Sequence, residues 1–125
     1  MERGANVTPI SPDELRALAK RVERVDWQVD VMLANEIGHV FKSDCLRPID
    51  ADMSLFPPNW RCNIIWETAD HVVAAPVEVL SGNVEYPPEE AGWVQGNVSS
   101  GSYAIERAIV AAALRVKAYE MERKP

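Results

Sequence analysis

The run Ala108-Ile109-Val110-Ala111-Ala112-Ala113-Leu114 is apolar without a break. It constrains the fold more than any other stretch. Alanine is the best helix former and adds little side-chain bulk, so the run predicts a helix that can lie close against a sheet. The helix is expected from about Ser102 to Met121. Ile105, Ile109, Ala112 and Val116 form its inner stripe, widened by Ala108 and Ala113. The run is far too short to span a bilayer. The chain before it, Asn97 to Tyr103, is a polar loop of small residues and hydroxyls.

Upstream, Ser11-Pro12-Asp13-Glu14 reads as a helix start: a serine cap, proline in the first turn and a glutamate that reaches back. Leu15, Leu18, Val22, Val25, Val29 and Met32 follow at spacings of three and four and predict one buried stripe. A break near Asp26 would cap a second segment running through Ile37, with Gly38 as its stop and His39 at the last carbonyls. Pro48 to Phe56 predicts a short helix with Ile49, Met53 and Phe56 inward, ended by Pro57-Pro58.

Trp60, Cys62, Ile64 and Trp66 alternate with Arg61, Asn63, Ile65 and Glu67, the period of a half-covered antiparallel strand. Thr68-Ala69-Asp70 is a turn, and His71–Leu80 a second strand, with Pro76 implying an edge or a bulge. Ser81-Gly82-Asn83 marks another turn, Val84-Glu85-Tyr86 a short strand, Pro87 to Glu90 a loop and Gly92–Val98 the last strand. The expected fold is α+β: an antiparallel sheet flanked by an N-terminal helix or helix pair and a C-terminal alanine-rich helix. One domain covers residues 11–121, with residues 1–10 and 122–125 as loose ends.

The net charge of −6 argues against duplex-DNA binding, which draws its affinity from neutralised phosphates. The two cysteines, Cys45 and Cys62, form no CxxC pair, and no secretory segment precedes them; a cytoplasmic protein with reduced thiols and no membrane partner is expected. His39, Cys45, Cys62 and His71 match no zinc spacing, so no metal is implied. No Gly-x-Ser-x-Gly or paired nucleophile and base is present, which predicts a non-enzymatic protein with no catalytic residue and no cofactor.

The chemistry that remains is anion binding. Asn97, Ser99, Ser100 and Ser102 lead into a helix start, where free N–H groups and the helix dipole favour negative charge. Arg107 and Arg115 lie one and three turns in, and Trp93, Trp66 or Tyr103 can stack a base. The plain alternative is that Ser99 or Ser102 caps the helix, the arginines pair with neighbouring acids and the aromatics belong to the core.

Three blocks carry a family resemblance. They are Leu15 to Ala34, with Arg21-Val22-Glu23 and then Asp26-Trp27-Gln28-Val29-Asp30-Val31-Met32-Leu33-Ala34, followed by Ile49 to Trp60 and the closing Ala108 to Ala118. In this order they resemble the phage ABA sandwich domain proteins. Two positions depart from that pattern: Arg24-Val25 replaces a frequent Gly-Pro, and Val110-Ala111 replaces a frequent Cys-Arg. The resemblance implies a small phage or prophage protein acting in the bacterial host, with a sheet sandwiched by helices. It is similar in size and plan to the Thoeris anti-defence sponges, oligomers that sequester cyclic ADP-ribose-type or cyclic oligonucleotide immune signals. The function expected is therefore sequestration of such a nucleotide by a homo-oligomer, with Trp93, Asn97, Ser99, Ser100, Ser102, Tyr103, Arg107 and Arg115 as ligand contacts. The rival expectation is an anti-CRISPR-like inhibitor whose acids Glu78, Glu85, Glu89 and Glu90 gather on one face to mimic a phosphate backbone.

Overall fold

A computed structural model describes residues 10–25, 31–42, 51–80, 82 and 84–123. Helix α1 spans Pro12–Arg24 and opens on the expected capping box. The Glu14 amide donates to Ser11 Oγ at 3.1 Å, and the Ser11 amide to Glu14 Oε1 at 2.8 Å. This pair satisfies two of the donors that a helix start leaves unpaired. Ser11→Ala should cost about 1 kcal/mol in urea unfolding.

The apolar stripe of α1 stops sooner than its spacing suggests. Leu15, Leu18 and Val22 are buried, but Val25 ends the helix in an extended conformation and is exposed. Helix α2, Val31–Val40, then starts in a new phase. It buries Leu33, Ala34, Ile37 and Val40 and leaves Met32 75% exposed. Gly38 is not its stop. It lies buried inside the helix, and Lys42 takes the left-handed conformation that follows the end. Val29, Ile49 and the predicted cap Asp26 lie outside the described residues. Of the short helix expected after Pro48, one 3-10 turn is described, Met53–Leu55, capped by the Asp52 carboxylate. Phe56 is buried as expected, whereas Met53 faces solvent.

The sheet is antiparallel with four strands: β1 Trp60–Thr68, β2 His71–Leu80, β3 Val84–Tyr86 and β4 Gly96–Ser99. The last strand is shorter than predicted, because Ala91–Trp93 folds into a 3-10 turn first. Strand β2 is central. One side of it pairs with β1, and the other with β4 over His71–Ala74 and with β3 over Glu78–Leu80. Pro76 falls in the gap between those two partners. The Val79 amide donates to Asn59 O on the β1 side, and amide directions alternate along a strand, so the ring nitrogen of Pro76 faces the gap. The missing donor costs no ladder bond there.

Helix α3, Ala104–Arg123, lies between the helix pair and the sheet. Its Val110, Ala111, Leu114 and Ala118 pack into one core with Leu15, Leu18, Leu33 and Ile37. Its Ala108, Ile109, Ala112, Ala113 and Val116 pack into a second core with Trp60, Cys62, Val72, Ala74 and Val98. The expected α+β fold is present, and the layer order is helix pair, α3, sheet. It is α3, more than the sheet, that is covered on two sides among the described residues. A helix apolar all round is buried all round. Small residues make this possible: a Cβ added to Gly96 would stand 1.9 Å from the Ala108 carbonyl oxygen. Glu122 and Arg123, expected as loose ends, continue α3 and pair with Arg16 and Glu78. No described helix is long and apolar enough to cross a membrane.

Candidate anion-binding site

The turn from β4 into α3 brings most of the predicted residues together. Ser99 ends β4, and Ser99, Ser100, Gly101 and Ser102 are exposed. The Ser100 amide donates to Asp70 O at 2.9 Å, which ties the loop to the β1–β2 turn. Gly101 has φ 147° and Tyr103 φ 54°. Both values lie where side chains are strained, and Tyr103 has no glycine's freedom to accept it. The helix begins at Ala104, two residues later than predicted. Among the described residues no serine hydroxyl caps it, so the plain reading of Ser99 or Ser102 as an N-cap does not hold. The loop presents free hydroxyls beside an uncapped helix start.

Arg107 lies behind this loop. It is 7% exposed, the most deeply buried charge among the described residues. Its Nε donates to Val22 O at 3.2 Å, Nη2 to Glu23 O at 2.7 Å and Nη1 to Ser102 O at 3.5 Å. The first two acceptors belong to the last turn of α1, where carbonyls have no helical partner and the dipole favours a cation. Arg107 thus closes one helix while lying under the start of another. The Cβ position of Gly101 is 3.8 Å from its Nη1, so the loop crosses directly over the guanidinium.

Arg115 serves a neighbouring junction. It is ion-paired to the Glu23 carboxylate, with Nη2 to Oε1 at 3.1 Å, and it also donates to Gln95 O. Glu23 accepts in addition from the Asn97 amide at 2.7 Å. That amide lies on the outer side of β4, so one carboxylate holds an arginine and closes a sheet edge. Glu23 escaped the sequence reading. Its signal was its place: an acid in the last turn of a helix opposes the dipole and calls for a local cation.

Two guanidinium groups therefore converge on Glu23, Arg107 on its backbone carbonyl and Arg115 on its carboxylate. No acidic side chain among the described residues reaches Arg107, and a buried cation satisfied by carbonyl dipoles alone leaves local positive potential. The potential sits under the one serine-rich surface loop, in a chain of net charge −6.

Trp93 does not join this cluster. Its ring lies under the Arg16 guanidinium, 4.9 Å from the centroid, and meets Tyr119 edge-on at 6.1 Å. Tyr119 is sixteen residues along α3 from Tyr103, about 24 Å at helical rise. Trp60 joins the same distant group, edge-on to Tyr119 at 5.8 Å. Trp66 is better placed. It pairs with Val72, which pairs with Val98 one residue before the loop, and it is 48% exposed.

The soft-ligand residues stay apart. Among the described residues no group of three His, Cys, Asp or Glu side chains could hold a metal ion. Cys62 is a free, buried thiol, and burial pushes its pKa up to about 12. It is thus a protonated core residue and not a nucleophile at neutral pH. His71 has Glu67 at 3.7 Å. Cys45 lies outside the described residues. Set against known families, curated proteins and solved structures, the chain matches none.

Proposed function

We propose that the chain binds a phosphate-bearing nucleotide and holds it without turnover, at the turn between β4 and α3. The observation that carries this reading is the buried Arg107 guanidinium, matched by no carboxylate among the described residues and overlain by an exposed serine loop at an uncapped helix start. In this reading phosphate oxygens take the Ser99, Ser100 and Ser102 hydroxyls and the first free amides of α3. The base stacks on Trp66 in place of Trp93. Arg107 contributes field from below, with its donors already committed to carbonyls. Arg115 stands further off and holds Glu23. The likeness in size and plan to the Thoeris anti-defence sponges suggests the biological context: sequestration of a cyclic nucleotide immune signal in the bacterial cytoplasm.

The acidic-mimic reading has less support, because two of its four acids do not share a face. Glu78 and Glu85 occupy opposite faces of the sheet, since Glu85 pairs with Val79, the residue next to Glu78 on β2. Each is also ion-paired, Glu78 with Arg123 and Glu85 with Arg61.

The test is calorimetry with a panel of cyclic dinucleotides, cyclic trinucleotides and cyclic ADP-ribose isomers. Ser102→Asp sets a carboxylate at the proposed phosphate position and should weaken binding at least tenfold. Trp66→Ala should weaken it by a comparable factor, the range of one lost base–aromatic stack. Neither substitution touches a buried contact of the described fold. A wild-type protein that gives no heat with any member of the panel sinks the reading.

A further inference from the structure

Strand β1 has an open outer edge. It pairs with β2 on one side, and among the described residues nothing pairs with the other. Open edges on long strands are templates for another strand. Two other surfaces are already used: the apolar run Ala108–Leu114 of α3 is buried between the two cores, and Pro76 lies in the central strand. Among the described strands the β1 edge is the long one: β3 has three residues, and the outward Asn97 amide of β4 is bonded to Glu23.

The register that this edge would accept follows from the ladder. The Val79 amide donates to Asn59 O, so the paired residues Asn59 and Val79 turn their backbone groups toward each other. Alternation then turns Arg61, Asn63 and Ile65 toward β2. Trp60, Cys62, Ile64 and Trp66 turn their backbone groups outward, and since the Trp60 amide is taken by Pro57 O, Cys62, Ile64 and Trp66 carry the open N–H and C=O groups. An antiparallel copy of β1 can bond to this edge only where outward residues face outward residues. Centring a two-fold axis on Ile64, the midpoint of Trp60–Thr68, meets that condition. Cys62 then faces Trp66 of the second copy, and Ile64 faces itself.

The same axis sets Arg61 opposite Glu67 of the other copy, twice, and Asn63 opposite Ile65. These four residues share the sheet face away from α3 and are all exposed. Ile65 is 46% exposed, a large apolar side chain left in water. Within one chain, Arg61 meets Glu85, and Glu67 stands 3.7 Å from His71, at the bulge between Trp66 and Thr68. The strand thus carries a basic residue near its start and an acidic residue near its end, equidistant from its centre. That pattern is complementary to its own reverse.

We propose that two copies of this chain pair antiparallel through β1 around Ile64, joining their sheets into one. This inference does not depend on the nucleotide reading, and its failure leaves that reading intact.

The test is sedimentation equilibrium of the full chain up to high-micromolar concentration. Dimers are expected. Glu67→Arg places like charges opposite each other at both pairs and should raise the dissociation constant about tenfold. Arg61→Glu combined with Glu67→Arg restores both pairs and should return the constant to near its original value. A second measurement does not rely on charge. Asn63→Cys with Ile65→Cys should give a covalent dimer on mild oxidation, because the two positions face each other across the axis on close, non-bonded sites. A wild-type chain that stays monomeric overturns the proposal. So does a dimer that ignores the charge exchange and fails to cross-link, since it would use another surface.

Discussion

Gly96→Ala should destabilise the protein by about 3 kcal/mol, the upper range for overpacking a tight contact. The added Cβ would meet a backbone carbonyl oxygen at 1.9 Å, with the Ala112 amide nitrogen at 3.0 Å. A flexible side chain could swing away, but a helix backbone cannot. The clash is relieved only by lifting α3 off β4, and α3 carries both cores. Urea unfolding followed by tryptophan fluorescence measures the loss. A cost below about 1 kcal/mol would mean that strand and helix do not touch as described. Gly92 is the internal control. Nothing lies within 4 Å of a Cβ built there, so Gly92→Ala should be close to neutral.

Arg107→Met should cost a similar amount, about 3 kcal/mol, for a different reason. Methionine keeps most of the aliphatic stem but removes every donor. Three carbonyls then lose their partner, that of Val22 in a buried place and those of Glu23 and Ser102 in part-buried ones. Each orphaned acceptor costs on the order of 1 kcal/mol. Arg107→Lys should recover only part of the loss, because one ammonium cannot span the fork that a guanidinium fills. Hydrogen exchange adds a local readout: amides in the last turn of α1 should exchange faster in Arg107→Met than in wild type. The result also bears on ligand binding. A variant at Arg107 confounds stability with affinity, which is why Ser102 and Trp66 are the positions that test the nucleotide reading.

What could be read from the chain beforehand was mostly local. The Ser11 capping box, the strand from Trp60 to Glu67 and the turn at Ala69-Asp70 each state their structure within a few residues, and each is found, although the covered face of the strand gives out at Trp66, which is exposed. Pro76 was half legible: its missing donor demanded an unpaired side, and the gap between β3 and β4 supplies one inside the sheet. The misses are long-range. The spacing from Leu15 to Met32 predicts one buried face even across the break near Asp26, but α2 starts in a new phase after that break and leaves Met32 exposed. The placement of α3 was partly legible and under-read: Ala108 to Leu114 contains no polar residue, so the helix has no side to give to water. Among site residues, Ser99 to Tyr103 are adjacent in sequence and stay adjacent in space. Trp93 precedes β4 by three residues, yet its turn sends the ring toward Arg16 and Tyr119. The roles of Arg107 and Arg115 depend on the end of α1, more than eighty residues away, and no local pattern announces a contact at that distance.

The order of α3 along the chain has a consequence for how the protein is made. Every element it packs against has left the ribosome before it. Until residues 104–118 emerge, the apolar faces of α1 and α2 and the inner face of the sheet have no partner. Folding from the N-terminus inward is therefore closed to this chain, and a nascent chain stalled before Ala104 should hold its hydrophobic faces open to chaperones or proteases.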